Sequence, residues 1–377
     1  MKKIATIALA LLLLCSLSAC VNQIPLSDKA LKENPMATPT PTTIPLSTVK
    51  AVAEPWVIGG FQKGIQLYWH TNHDSSAIVK AKADRILDYV VGLDANAVAI
   101  SFPIYVDGPK PTHVYAGDGT PSVTELQIVI HEAHLRKLRI TLRPIVDEAN
   151  ITAVNPSSWR GAIVPVDASA WFASYQQVIT PYVQLAALDN VAEFVLGTEF
   201  NSLQDDTDQW NALSSTFEST FTESNNSSLS YADNWDRFQA HSYGPLANLG
   251  VDAYPQFAKL SSSATVDQLT AAWVGWINTS QAPGYHVSLQ EVGIPAQAGA
   301  YKNPGNWGHG KAAINQAVQA NWFAAACNAA KQTGVVGIYF WNIDINTDPA
   351  AANSATDPST SFIGRAGQDS IRECFTS

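Results

Sequence analysis

Glu199 and Glu291 each follow directly on an apolar run, Phe194-Val195-Leu196-Gly197-Thr198 before the first and His286-Val287-Ser288-Leu289-Gln290 before the second. Two carboxyl groups, one kept protonated and the other ionised, can cleave a glycosidic bond. A separation of about 5–5.5 Å suits the retaining reaction, and a wider one leaves room for a water and inverts the sugar. Either glutamate alone could equally pair with a basic residue or cap the helix that follows. What sets this pair apart is its company. Other apolar runs end in Tyr68-Trp69-His70, Phe102-Pro103-Ile104-Tyr105, Arg143-Pro144, Tyr231-Ala232-Asp233-Asn234-Trp235, Asp252-Ala253-Tyr254-Pro255 and Trp341-Asn342-Ile343-Asp344. Aromatic faces for apolar C–H surfaces, with amides and carboxylates for hydroxyls, are the mixture a sugar needs.

The elements behind these residues alternate in type. Short strand candidates at Gly64–Trp69, Ala97–Phe102, Arg139–Pro144, Ala192–Gly197, Leu229–Tyr231, Leu249–Ala253, His286–Gln290 and Gly337–Phe340 are interleaved with longer amphipathic stretches. The helix candidates include Ser76–Val91, Val123–Lys137, Ala168–Leu188, Thr265–Asn278 and Lys311–Thr333. This alternation predicts a parallel sheet wrapped by helices, and the length fits one (β/α)8 TIM barrel as a single body over residues 55–377. A doubly wound open sheet is the alternative, weakened because no glycine-rich phosphate loop follows the first strand. In a barrel the loops leaving the C-terminal ends of the strands build the active site. Glu199 and Glu291 then stand after the fourth and seventh strands, facing each other across the mouth.

Composition narrows the partners. The chain of 377 residues is 46% hydrophobic, with 22 Lys plus Arg against 32 Asp plus Glu and a formal charge of -10. So acidic a balance argues against a nucleic-acid partner, and so large an apolar share against disorder of the whole chain. Lys2-Lys3 and the apolar run Ile4–Leu14 read as a signal peptide, too short to span a membrane. It ends in Leu17-Ser18-Ala19-Cys20, which resembles a bacterial lipobox, so residues 1–19 would be removed and Cys20 lipidated; an ordinary secretory peptide is the alternative. Residues 20–54, with Pro and Thr alternating from Thr38 to Thr43, make a semi-rigid spacer. The expected product is an extracytoplasmic, membrane-anchored lipoprotein, monomeric, acting on a polysaccharide or oligosaccharide without a cofactor.

Catalytic glutamates on the fourth and seventh strands resemble the large clan of retaining (β/α)8 glycosidases. Within it the chain is most similar to the glycoside hydrolase 113 family, whose characterised members are β-mannanases. The stretches that carry the resemblance are Val195–Glu199, Leu229–Trp235, Gly250–Pro255, Gln290–Pro295, Trp341-Asn342 and Phe362–Ala366. The resemblance implies Glu199 as acid/base, Glu291 as nucleophile and Tyr254 as its hydrogen-bond donor. It implies Trp341 as a sugar platform, with Asn234 and Trp235 lining the same mouth. Arg143 would add a positive charge near the substrate, although the clan usually carries its arginine on an earlier strand. Thr198 stands where many clan members have an asparagine for the sugar's 2-hydroxyl, which leaves mannose against glucose open.

Outside those motifs, Trp69 and His70 are candidates for the entrance of the cleft. The polar segment Gln204–Ser228 is expected to form one of its walls. His131 and His134 have metal-compatible spacing on a predicted helix, but without a third ligand no metal site is expected. Cys327 and Cys374 are a possible disulfide outside the cytoplasm, their separation unknown from sequence. The rival functions are a carbohydrate-binding lipoprotein without catalysis and the same chemistry on a β-glucan.

Overall fold

Along each strand the side chains alternate between two environments. Ile65, Leu67, Val98, Ile100, Ile140, Leu142, Phe194 and Leu196 are buried in the main apolar cluster, which the helices cover. The residues between them are small or polar: Gly64, Gln66, Ala97, Ala99, Ser101, Thr141. Ala97, Ala99 and Tyr339 form a separate apolar cluster of their own. Two faces of different size and polarity bend such a sheet into a closed tube, with the helices outside.

A computed structural model describes residues 49–377 except 222–226, 240–245, 247, 281–285, 307–311 and 353–356. The lipobox, Cys20 and the Pro/Thr stretch lie outside the described residues. The barrel strands are β1 (Gln62–Tyr68), β2 (Ala97–Val106), β3 (Arg139–Val146), β4 (Glu193–Thr198), β5 (Ser228–Asn234), β6 (Asn248–Asp252), β7 (His286–Val292) and β8 (Gly337–Asp344). Each runs parallel to the next, and β8 returns to pair with β1, which closes the barrel. A two-residue strand, Val114–Tyr115, adds antiparallel to the outer end of β2. The open-sheet alternative is therefore overturned by the β8–β1 ladder.

The helices among the described residues are α1 (Ser76–Gly92), α2 (Val123–Leu135), α3 (Ala149–Val154), α4 (Ala168–Leu188), α5 (Thr207–Phe221), α6 (Trp235–Gln239), α7 (Val266–Ser280), α8 (Gln316–Thr333) and α9 (Ala366–Thr376). Their starts follow local capping chemistry. Ser122 and Glu125 form a reciprocal capping box at α2, and Asp167 accepts from the Ala170 amide at α4. The last long helix begins at Gln316 rather than at Lys311, because the Asn315 side chain accepts from the Ala317 amide and caps it there. Packing also starts earlier than residue 55: Val52 is buried, and its amide donates to the Arg136 carbonyl at 3.0 Å.

The floor of the barrel is polar and densely hydrogen-bonded. Arg139 donates to Glu193 at 2.7 Å, to Thr141 at 2.8 Å and to the Tyr339 hydroxyl at 3.0 Å. Glu193 also accepts from Ser230 and Gln290, and the Arg139 guanidinium lies over the Trp56 ring. Gly64 makes room for this arrangement, since a Cβ there would sit 2.1 Å from the Tyr339 ring.

Cys327 on α8 and Cys374 on α9 are bonded, so the last helix is tied to the penultimate one. Lys331 adds a bond to the Cys374 carbonyl at 2.8 Å. A cross-link separated by 47 residues restricts the unfolded chain. Cys327→Ser combined with Cys374→Ser is expected to lower unfolding stability by about 2–4 kcal/mol. Urea denaturation of both proteins checks this, and reductant should lower the wild type alone.

Candidate active site

The C-terminal ends of the strands open into a cleft of about 800 Å³. Glu199, Asn234, Trp235, Tyr254, Glu291 and Trp341 all line it, together with Tyr68, Glu148, Trp159, Arg160, Asn303, Asn306 and Asn342. Six of the eight residues expected to be catalytic or sugar-binding therefore meet in one space.

Glu291 is the better anchored of the two acids. It accepts from Arg143 Nη1 at 2.6 Å on one oxygen and from the Tyr254 hydroxyl at 2.5 Å on the other. Arg143 is wholly buried and also holds Asp252, while its Nε donates to Thr198 Oγ1 at 3.3 Å. The Ala253 amide donates to the Glu291 carbonyl at 2.7 Å, fixing the end of β6 against β7. Gly293 lets Trp341 and Tyr254 close around this acid, for a Cβ there would lie 3.1 Å from one and 3.3 Å from the other.

Glu199 is held differently. Its φ of 55° lies in the left-handed region, an unfavourable choice for a non-glycine residue that costs about 1–3 kcal/mol. Hydrogen bonds compensate: its amide donates to the Ala232 carbonyl, its carbonyl accepts from Asn201, and the Phe200 amide donates to the Tyr231 hydroxyl. The carboxylate itself meets Arg160 Nη1 at 2.5 Å. Burial pushes its pKa up to about 7; Arg160 opposes the rise, the negative charge of Glu291 adds to it and Arg143 opposes it. Burial thus outweighs the ion pair, and Glu199 carries a proton over much of the range below neutrality.

The aromatic and amide residues form the rest of the cleft. Trp341 packs against Tyr68 with ring centres 5.6 Å apart, and the peptide joining it to Asn342 is cis. At the start of α6 the Asn234 side-chain oxygen accepts from the Trp235 amide, and its side-chain nitrogen donates to Asp236 at 2.8 Å. The loop with Ser359 and Thr360 completes one side, braced by Arg365, which donates to the Ser359 carbonyl.

Two expected contacts are corrected. Trp69 is 2% exposed and belongs to the apolar core, because Tyr68 takes the inward place and the next residue must point outward. Arg143 is too deeply buried to touch a sugar; it acts on Glu291 and Asp252 instead. The expected cleft wall is also different. No described residue of Gln204–Ser228 lines the cleft, and Thr207–Phe221 is helix α5, which buries Trp210 against Phe172, Phe200 and Tyr231. His70 stands 3.3 Å from Asp147 beside Tyr68 and is not among the lining residues. Among the described residues no three His, Cys, Asp or Glu side chains gather as metal ligands. Sequence reasoning missed Glu148, two residues past the end of β3, and Trp159 and Arg160, which lie beyond α3 in the connection to α4 and follow no strand.

Comparison with known proteins adds the lineage. The model of Glycoside Hydrolase Family 113 matches residues 67–362. No curated protein matches the chain. A GH113 β-1,4-mannanase solved as a complex superposes with a TM-score of 0.69 at 17% identity, covering 84% of this chain and 99% of its own. The GH113 β-mannanase from Alicyclobacillus acidocaldarius does so with a TM-score of 0.68 at 18% identity, covering 84% and 97%. A β-glucuronidase from Faecalibacterium prausnitzii shares the fold more distantly, with a TM-score of 0.52 at 14% identity over 84% of this chain and 49% of that one. At these identities the structural likeness is one of fold.

The raised pKa of Glu199 has a thermodynamic consequence. From about pH 5 to 7 the unfolded chain releases this proton while the folded chain keeps it, so stability falls as pH rises. The loss amounts to at most about 3 kcal/mol. Glu199→Gln, which stays neutral, is expected to remove this part of the slope. Urea midpoints of both proteins at pH 5 and pH 8 check it, and parallel pH dependence in the two would refute it.

Proposed function

The chain belongs to glycoside hydrolase family 113, and from that premise we propose that it is a retaining glycoside hydrolase acting on β-1,4-mannan or its oligosaccharides. The observation that carries this reading is the unequal treatment of the two glutamates. Glu291 accepts hydrogen bonds from a guanidinium and a phenol, one on each oxygen, whereas burial favours a proton on Glu199. A nucleophile and an acid are needed together at the same pH, and two environments supply them.

In the first step a Glu291 oxygen forms a bond to the anomeric carbon. The bond from that carbon to the glycosidic oxygen breaks, and the leaving oxygen takes the Glu199 proton. In the second step water attacks the anomeric carbon, gives a proton to Glu199, and returns the bonding pair to Glu291. Trp341 and Tyr68 offer apolar faces to the sugar, and Asn234, Asn303, Asn306 and Asn342 offer amides to its hydroxyls. Thr198 is fully buried with its hydroxyl on Arg143, so in this chain the 2-hydroxyl is read by another group. The choice of mannan over glucan rests on the solved GH113 mannanases that share the fold.

The same reading makes the enzyme a lipoprotein held outside the cytoplasm through Cys20. The Lys2-Lys3 start, the apolar run and Leu17-Ser18-Ala19-Cys20 support it, as does the Cys327–Cys374 disulfide, a bond uncommon in reducing compartments. Labelled palmitate fed to an expressing bacterium is expected in the wild type and not in Cys20→Ser; equal labelling would overturn the anchor.

Release of sugars from β-mannan, glucomannan, cellulose oligomers and mixed β-glucans by the protein tests the activity. Mannan cleavage is expected, with the β-anomer formed first in an NMR time course. Glu291→Ala should lower turnover more than about 1000-fold and Glu199→Ala about 100- to 10,000-fold. Cleavage of glucans alone would replace the substrate and keep the chemistry, while an α-anomer as first product would replace retention by inversion.

A further inference from the structure

Arg160 belongs to no strand, yet it makes the shortest polar contact of Glu199 and is built in from several sides. Its Nε donates to the Val146 carbonyl at 2.8 Å, at the end of β3. Its Nη2 lies 3.3 Å from Glu148, whose carboxylate also accepts the Arg160 amide at 3.4 Å. The segment that carries it is tied to the turn that carries Glu199: the Ser202 amide donates to the Gly161 carbonyl at 3.0 Å and the Ser202 hydroxyl to the Ile163 carbonyl at 2.5 Å. Trp159 folds back over Gly161, where a Cβ would lie 2.3 Å from its ring, so a larger residue would lift the loop. The guanidinium and the carboxylate are thus placed by one shared piece of backbone, three residues past the acid on one side and directly beside the arginine on the other.

We propose that Arg160 is the positioning residue of Glu199, holding its carboxylate toward the cleft and favouring its charged form for the second, water-activating half of the reaction. The proposal rests on the glutamate pair argued above. Before the first step Glu199 carries a proton, and Glu291 is negative. Once Glu291 has become an ester, its charge no longer opposes ionisation of Glu199, whereas the cation of Arg160 remains. Glu199, having given its proton to the leaving oxygen, is then kept as a carboxylate able to accept one from water. The other charged or titratable groups facing Glu199 are Glu291 on β7, Arg143 on β3, Asp252 on β6, Tyr254 beyond it and Tyr231 on β5. Arg143 is already committed to Glu291 and Asp252. Arg160 is therefore the cation with a hydrogen bond to Glu199 itself.

The test combines a titration with kinetics on the full chain carrying Arg160→Met or Arg160→Lys. In protein with 13C-labelled glutamate carboxyls, the resonance missing from Glu199→Gln reports the acid. Its midpoint is expected to rise by about one pH unit or more in Arg160→Met and to stay near the wild type in Arg160→Lys, which keeps the charge. With a dinitrophenyl β-mannoside, whose departure needs no acid, kcat/KM should change less than threefold. Turnover limited by the second step should fall at least tenfold near neutrality in Arg160→Met and recover with azide, which needs no base. On an oligosaccharide the alkaline limb of kcat/KM should move upward with the titration midpoint. An unmoved midpoint, or a loss of equal size on both substrates at every pH, would overturn the proposal and leave Arg160 a structural brace. If the wild type cleaves no glycoside, the functional reading fails, and the titration still decides what Arg160 does to Glu199. Should Arg160→Met not fold, Arg160→Gln removes the charge with less change in polarity and is read in the same way.

Discussion

A guanidinium with no exposure to solvent sits near the axis of the barrel, and its neutralisation constrains everything above it. Arg143 is charged at any pH the fold survives, so burial demands carboxylates in fixed places. Asp252 and Glu291 meet two of its nitrogens and Thr198 the third. These partners come from β6, β7 and β4, so one side chain on β3 sets the spacing of three strand ends across the mouth. Tyr254 then completes the second oxygen of Glu291. The acid that faces the cleft is held by a group that never reaches it.

The same device occurs one layer lower without chemical consequence. Side chains two residues apart on a strand share a face, so Arg139, Thr141 and Arg143 all point into the barrel. Arg139 meets Glu193, as Arg143 meets Glu291, but the lower pair does not line the cleft and is bonded instead to Tyr339, Gln290 and Ser230, with Arg139 over the Trp56 ring. The upper pair opens onto about 800 Å³ of accessible space. Irregular register makes the two layers possible. The β6–β7 ladder slips between Val251 and Asp252, and the β7–β8 ladder between Leu289 and Val292. Consecutive residues Gln290 and Glu291 can then both face inward, one to Glu193 and the other to Arg143.

That slip shows why some of the site could be read in the sequence and some could not. Strands announce themselves by apolar runs, and residues just beyond them are confined to the mouth, so Glu199, Glu291, Asn234, Trp235, Tyr254 and Trp341 were legible. Strict alternation would have turned Trp69 outward once Tyr68 was placed inward, a signal present but outweighed by the aromatic character of the triplet. The stretch after Gln204 is polar enough to look like a loop, yet Trp210, Leu213 and Phe217 recur at helical spacing and are buried. Arg160 had no such signal. It stands in a loop after a short helix, and tertiary hydrogen bonds, from Ser202 to Gly161 and Ile163 and from Arg160 to Val146 and Glu148, bring it to Glu199.

Charge conservation links these placements to the reaction. With Glu199 protonated, Arg143 is balanced by Glu291, while burial pushes the Asp252 carboxyl well above the usual carboxylate range, and Arg160 is balanced by Glu148. Ionising Glu199 as well would add a negative charge in a buried site, which is why burial and Glu291 resist it. In the proposed double displacement, forming the glycosyl ester would remove the charge of Glu291 at the moment Glu199 loses its proton, so the net charge of the site would be the same before and after the step. Water attack would reverse both changes together. Changing the net charge of a low-dielectric site in the course of a reaction is costly. Two glutamates that exchange charge within it avoid that cost at each step, so burial that would handicap either acid alone suits the pair.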